Sequence, residues 1–133
     1  MKNPKVILLV EDSDDDIFLF SISAKKALIS SPVHVVRTGQ EAMDYLSGNG
    51  EHSDRKFSPI PAIVFIDVKI PFVDGFFVLE WIRKQEEFTG IPLIMLSGSN
   101  AERDHQKAKD LGATNYLVKP ILPEHFQAAM NLI

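Results

Sequence analysis

The sequence contains no cysteine, which excludes disulfide bonds and thiolate chemistry from this protein. It also has no apolar run that approaches the roughly 20 residues needed to cross a bilayer. The apolar run near the N-terminus, from Val6 to Val10, is shorter than the core of a signal peptide and ends in acids rather than small residues. These features predict a cytoplasmic protein that has no membrane partner.

Positive charge is in deficit along the chain. There are 14 lysines and arginines against 18 aspartates and glutamates, which gives a net charge of -4. Because no basic stripe is available to displace counterions from phosphates, the sequence predicts no nucleic-acid partner and favours protein partners. The 133 residues suit one domain that buries a hydrophobic core, and we expect no second domain.

Four apolar runs of the sequence each stop at a polar or charged residue. The run from Ala62 to Ile66 stops at Asp67, which we expect at the end of a central, buried strand. The other three runs stop at Glu11 and Asp12, at Ser97, and at Lys119. In an open α/β sheet ligands bind outside the carboxyl ends of the strands, so these side chains are predicted to gather in one cleft.

Helical patterns alternate with these runs and with a fifth, shorter run from Val33 to Val36. The predicted fold class is therefore α/β, a doubly wound five-stranded parallel sheet flanked by five helices. Capping patterns predict the helix starts, namely those at Ser13, Thr38, Asp74, Ser99 and Pro123. The polar segment 49–61 is predicted to be a mobile surface loop in which His52 is solvated.

The carboxylates of Glu11, Asp12 and Asp67 would repel one another at one sheet edge. Two like charges about 4 Å apart cost roughly 4 kcal/mol at an effective dielectric near 20. A divalent cation removes this repulsion, and Mg²⁺ prefers oxygen ligands and bridges carboxylates to phosphate oxygens. Lys119 then supplies positive charge to a further phosphoryl oxygen, Ser97 supplies a hydrogen-bond donor, and Asp67 is left as the nucleophile of an aspartyl-phosphate reaction.

The order and spacing of these residues resemble the receiver domain of two-component response regulators. The matching positions are Glu11-Asp12, Asp67 with Pro71 and Gly75 beyond it, Ser97-Gly98, and Tyr116 three residues before Lys119-Pro120. The resemblance covers essentially the whole chain and implies a flavodoxin-like sheet of order 2-1-3-4-5. It also implies that residues 1–133 form a single receiver domain with no output domain.

The resemblance implies how phosphate and metal are bound. Asp67 is expected to accept a phosphoryl group from a sensor histidine kinase. Asp12, Asp67 and the backbone carbonyl of Lys69 are expected to bind Mg²⁺, while Glu11 holds the water shell of the ion. Lys69 departs from the family pattern, since an uncharged side chain is more usual there, and we expect its ammonium to lie over the route by which water reaches phosphorylated Asp67.

The resemblance also implies how the signal leaves the site. Ser97 and Tyr116 are expected to form the switch pair, and the Lys119-Pro120 bond is expected to be cis. A downstream protein effector is the expected partner, with a homodimer formed through the fourth helix, fifth strand and last helix. The stretch from His34 to Leu46 and the long loop after it resemble the stand-alone subgroup paired with phytochrome-type kinases.

Three other functions share parts of this pattern. A haloacid-dehalogenase-type phosphatase needs a second aspartate two residues after the nucleophile, where this chain has Lys69. A flavodoxin-like FMN binder places its phosphate loop after the first strand, where the acids from Glu11 to Asp16 would repel phosphate. A receiver-like scaffold that is no longer phosphorylated is the third alternative, against which the acidic pair and Lys119 argue.

Overall fold

The computed structural model describes residues 5–133 as five strands that alternate with five helices. The strands are β1 Ile7–Val10, β2 Val33–Val36, β3 Ile63–Asp67, β4 Leu93–Ser97 and β5 Asn115–Val118. The helices are α1 Asp14–Lys26, α2 Gly39–Ser47, α3 Gly75–Lys84, α4 Glu102–Asp110 and α5 Pro123–Met130, with short 3-10 helices at Gly50–His52 and Glu86–Phe88. All strand pairs are parallel, in the order β2-β1-β3-β4-β5, so the predicted fold class and sheet order are confirmed.

The sheet is buried on both faces because successive strand residues point to opposite sides. Leu8 and Val64 pack with residues of α2 and α3 on one face. On the other face Phe65 packs with Phe20 of α1 and Phe126 of α5, with ring centroids 4.6 to 5.6 Å apart. None of the helices described in residues 5–133 is both long and apolar enough to cross a membrane.

Three of the predicted helix caps are confirmed by side-chain hydrogen bonds. Ser13, Thr38 and Asp74 accept hydrogen bonds from the backbone N–H groups of Asp16, Glu41 and Phe77 at 3.3, 3.0 and 2.9 Å. The predicted capping box at Ser99 is wrong. Ser99 Oγ accepts a hydrogen bond from Ala101 N at 3.2 Å, and α4 begins at Glu102 without a side-chain cap, because the hydroxyl bonds within the turn two residues on instead.

The segment 49–61, predicted to be a mobile surface loop, contains the 3-10 helix Gly50–His52 and is bonded to the end of α2. Arg55 donates hydrogen bonds to the carbonyl oxygens of Tyr45 and Leu46, both at 2.8 Å, and to that of Ser58 at 3.1 Å. The bond to Leu46 satisfies a carbonyl in the last turn of α2 that is left without a partner within the helix, while the Tyr45 carbonyl also accepts the N–H of Gly48 at 3.2 Å. The His52 side chain is only 13% exposed and its Nδ1 lies 2.9 Å from Ser58 Oγ, so its predicted solvation is wrong.

Candidate functional site

The carboxyl ends of the strands bring the predicted site residues to one edge of the sheet. Asp67 is the last residue of β3 and Ser97 the last residue of β4, while Glu11 and Lys119 directly follow β1 and β5. Because β3 lies between β1 and β4, Asp67 is central. The strand-end cleft predicted from the four apolar runs is therefore present.

Gly75 holds the turn after β3 against the strand end. Its N–H donates to the carbonyl of Val68 at 2.8 Å, and a Cβ at this position would overlap the backbone carbonyl of Asp67. Only glycine permits this close approach of two backbone segments. The turn is thereby fixed beside the Asp67 carboxylate.

Lys119 joins three carboxylates that come from different parts of the chain. Its Nζ lies 2.6 Å from Glu11 Oε1, 2.7 Å from Asp16 Oδ2 and 3.0 Å from Asp67 Oδ1. The Lys119 side chain is 19% exposed and those of Glu11 and Asp67 are 2% and 7% exposed. The ammonium is thus the central charge of a largely buried acidic cluster.

Asp16 is a site residue that the sequence analysis did not identify. A signal for its role is present in the spacing. Asp16, Phe20 and Ala24 are four residues apart and share one face of α1, and Phe20 and Ala24 are buried in the core. Asp14 and Asp15, outside that spacing, are exposed.

Burial sets the protonation of the cluster. It raises the pKa of Glu11 to about 7, against the lowering effect of the hydrogen bond from Lys119. Burial likewise raises the pKa of Asp67, again against Lys119. Burial alone would lower the pKa of the Lys119 ammonium, but its bonds to Asp16, Glu11 and Asp67 outweigh that effect and raise it. Lys119 therefore stays charged while Glu11 holds a proton part of the time near neutral pH.

Three of the carboxylates also fit a metal ion. Oxygen atoms of Glu11, Asp12 and Asp67 lie within 4.8 Å of one another. Glu11 Oε2 accepts hydrogen bonds from the backbone N–H groups of Asp12 and Ser13 at 3.0 and 3.4 Å, which fix its orientation. Asp12 is exposed, so this edge of the sheet is open to solvent. Carboxylate oxygens are hard ligands of the type that Mg²⁺ prefers.

Ser97 and Tyr116, the predicted switch residues, are both bonded to Ser99. Ser97 Oγ accepts the N–H of Ser99 at 3.0 Å, and the Tyr116 hydroxyl donates to the carbonyl of Ser99 at 2.7 Å. Both side chains are buried, with 3% and 8% exposure. Ser99 is thus a shared partner that the sequence analysis did not identify. The Lys119-Pro120 bond is cis, as expected.

Lys69 lies in the bend after β3, two residues beyond Asp67, and is exposed. Among residues 5–133 no carboxylate lies within ion-pair distance of its ammonium. The structure places Lys69 beside the site and leaves its side chain in solvent. Both its predicted carbonyl ligation and its predicted effect on water access remain predictions.

Comparisons with known proteins give one consistent family. A sequence model of the response regulator receiver domain matches residues 7–131 of this chain. The response regulator Rcp1 of Synechocystis sp. is 35% identical over 116 residues, which cover 87% of this chain and 77% of Rcp1. The shared segment therefore includes most of both proteins.

Solved structures extend the similarity to the whole fold. The bacteriophytochrome response regulator RtBRR is 37% identical with a TM-score of 0.85, covering 98% of this chain and 78% of that one. The phosphorylated cyanobacterial phytochrome response regulator RcpA is 32% identical with a TM-score of 0.82, covering 98% and 91%. The Mn²⁺-bound form of response regulator Rcp1 is 33% identical with a TM-score of 0.79, covering 97% and 91%.

Proposed function

Because this chain belongs to the response regulator receiver domain family, we propose that Asp67 accepts a phosphoryl group from a sensor histidine kinase, with Mg²⁺ bound, and that the change is passed to a protein effector. One observation carries the proposal: a buried aspartate at the end of the central strand has a lysine ammonium at 3.0 Å. Receiver domains are signalling modules and not enzymes, so the haloacid-dehalogenase-type phosphatase is set aside.

The phosphoryl transfer balances between the phosphohistidine donor and this chain, with one bond formed for the bond that breaks. A carboxylate oxygen of Asp67 forms the new P–O bond as the P–N bond of a phosphohistidine breaks, and the electron pair returns to the imidazole nitrogen, which takes up a proton. Glu11, Asp12, Asp67 and the carbonyl of Lys69 would hold Mg²⁺, which supplies positive charge to the phosphoryl oxygens. The Lys119 ammonium offers a charge-assisted hydrogen bond to a further phosphoryl oxygen.

The shared bonds to Ser99 provide a route from phosphorylation to the surface. When Ser97 Oγ turns to donate to a phosphoryl oxygen, it gives up the N–H of Ser99. Tyr116 is bonded to the carbonyl of the same residue, so the two side chains change together. The affected surface is formed by α4, β5 and α5, where we place the effector or a second copy of the chain.

The similarity to RtBRR and RcpA favours a phytochrome-type histidine kinase as the source of phosphate. Both relatives are named as phytochrome response regulators. We propose that the reaction takes place in the cytoplasm, because a kinase of this kind draws phosphate from ATP. The test is phosphate transfer from a panel of purified histidine kinases, in which a phytochrome-type kinase should phosphorylate this chain fastest.

Labelling with acetyl phosphate tests the site itself. We expect one acid-labile phosphate per chain in the presence of Mg²⁺ and none after EDTA treatment or in Asp67→Asn. The matched control is Asp15→Asn, which removes an exposed carboxylate of α1 and should leave labelling unchanged. A phosphoserine stable to acid, or labelling that survives both EDTA and Asp67→Asn, contradicts the proposal.

A further inference from the structure

A groove with a volume of about 460 Å³ runs between α2 and α3. At one end the two helices pack closely at Gly39, where a Cβ would overlap the side chains of Val73, just before α3, and Val78 of α3. Elsewhere the groove is open, with Phe77 and Trp81 on one wall and Met43 and Asp44 on the other. The proposed phosphorylation chemistry uses none of these side chains.

The wall contributed by α3 is apolar and aromatic. Phe77 and Trp81 are four residues apart on α3 and so form one stripe, which Val73, just before the helix, extends along the groove, whereas Val78 and Leu79 point into the core. Phe77 is 51% exposed, and Trp81 is half-buried. An aromatic stripe left in water is a surface that gains free energy when a partner covers it.

The rim beside α2 is acidic. The helix contains no lysine or arginine, and its Asp44 lines the groove. Glu41 of α2 and Glu51 of the following 3-10 helix line an adjoining hollow that shares Asp44 with the groove. Among residues 5–133 none of these three carboxylates forms an ion pair with a lysine or arginine, although Glu51 Oε1 lies 3.7 Å from His52 Nε2. The acidic rim therefore carries negative charge that a cationic partner would neutralise.

We propose that the α2–α3 groove binds an amphipathic, cationic helix of a partner protein. Apolar side chains of that helix cover Met43, Phe77 and Trp81, and its lysines or arginines lie along Glu41, Asp44 and Glu51. The nine residues of α2 span about 14 Å, so a matching helix has two to three turns. A cation above Trp81 gains further from the indole ring.

Charge argues for this occupant over a second copy of the chain. Two copies that met symmetrically through this groove would place the same acidic rim against itself, and each copy has a net charge of -4. A nucleic acid is disfavoured by the same rim. The proposal does not depend on phosphorylation of Asp67, so each can fail without the other.

Trp81 is the single tryptophan of the sequence, so its fluorescence reports on the groove. The probe is a 14-residue synthetic helix with leucines at positions i, i+3, i+4 and i+7 and lysines on both flanks. We expect a saturable blue shift of Trp81 emission. Phe77→Ser and Asp44→Lys should each raise the Kd about tenfold, and a peptide with glutamates in place of the lysines should not bind.

Matched variants distinguish binding in the groove from a general electrostatic attraction of the peptide to an acidic protein. Asp110→Lys makes the same charge change at an exposed site on α4, and Phe57→Ser removes a 75% exposed ring elsewhere. Neither should change the Kd, and circular dichroism should show that all four variants are folded. The proposal is overturned if Trp81 emission does not respond, if Asp110→Lys weakens binding as much as Asp44→Lys, or if sedimentation shows a dimer that Phe77→Ser abolishes.

Discussion

The ring of His105 on α4 packs against the ring of Tyr116 on β5, with centroids 4.0 Å apart. His105 Nε2 also lies 2.9 Å from Oδ1 of Asn100, in the segment after β4. Tyr116 is bonded to Ser99 in the same segment. His105 therefore connects α4 to Tyr116, which is proposed to move on phosphorylation. The helix itself buries only Ala108 in the core.

We expect His105→Ala to loosen this connection without unfolding the domain. A packed aromatic pair contributes about 0.5 to 1.5 kcal/mol, so local opening of α4 and β5 should become roughly two- to tenfold more frequent. Hydrogen exchange of the two segments measures the change. Gln106→Ala, an exposed position on the same helix, is the control, and unchanged exchange around Tyr116 in His105→Ala would refute the role given to the histidine.

Lys119→Ala should destabilise the metal-free protein by about 2 to 4 kcal/mol, because it leaves buried carboxylates without their cation. Mg²⁺ should recover much of the loss, since it neutralises Glu11 and Asp67 in place of the ammonium. The measurement is urea unfolding with EDTA and with Mg²⁺. Lys84→Ala, which removes an exposed ion pair with Glu80 at 3.3 Å, should cost far less and show no such recovery.

Mg²⁺ binding should become weaker as the pH falls below about 7. Glu11 has a pKa of about 7 in the folded protein against an ordinary value of 4.5, and the ion competes with that proton. Binding should release roughly half a proton at pH 7 and nearly one at pH 6. Calorimetry in buffers of different ionisation enthalpy measures the release, and Glu11→Gln should remove the share that Glu11 contributes.

The raised pKa of Glu11 has the opposite effect on the stability of the metal-free protein, which should increase as the pH falls. Between pH 4.5 and about 7 the unfolded chain releases the Glu11 proton before the folded chain does. The contribution of Glu11 to the free energy of unfolding is therefore full below pH 4.5 and is lost as the pH rises to 7. A Glu11→Gln variant that kept the full pH slope of the wild type across this window would contradict the assignment.

Lys69→Asn should shorten the half-life of phosphorylated Asp67. An exposed ammonium that pairs with a phosphoryl oxygen gains at most about 1 kcal/mol, so the effect should not exceed about fivefold. Stability should change little because the side chain is exposed. Decay of the phosphate is followed without kinase at fixed Mg²⁺, with Lys84→Asn as the control. An unchanged or longer half-life would remove Lys69 from the control of hydrolysis.

The sequence by itself determined the five strands, the strand-end positions of Asp67, Ser97 and Lys119, and the caps at Ser13 and Thr38. Each of these follows from the local sequence, since a continuous apolar run predicts a strand and a few neighbouring residues predict a cap. The receiver family was also identified from the spacing of such positions, and the comparisons confirm it.

The tertiary structure alone decided the contacts between distant segments. Asp16 and Lys119 are 103 positions apart in sequence and meet only because β1 and β5 end at the same edge of one sheet. The bonds of Arg55 to the end of α2 and the aromatic stripe of Phe77 and Trp81 facing an acidic helix depend on packing in the same way. The sequence shows which side chains are charged or aromatic. The partner of each side chain depends on which helices and strands the hydrophobic core brings together.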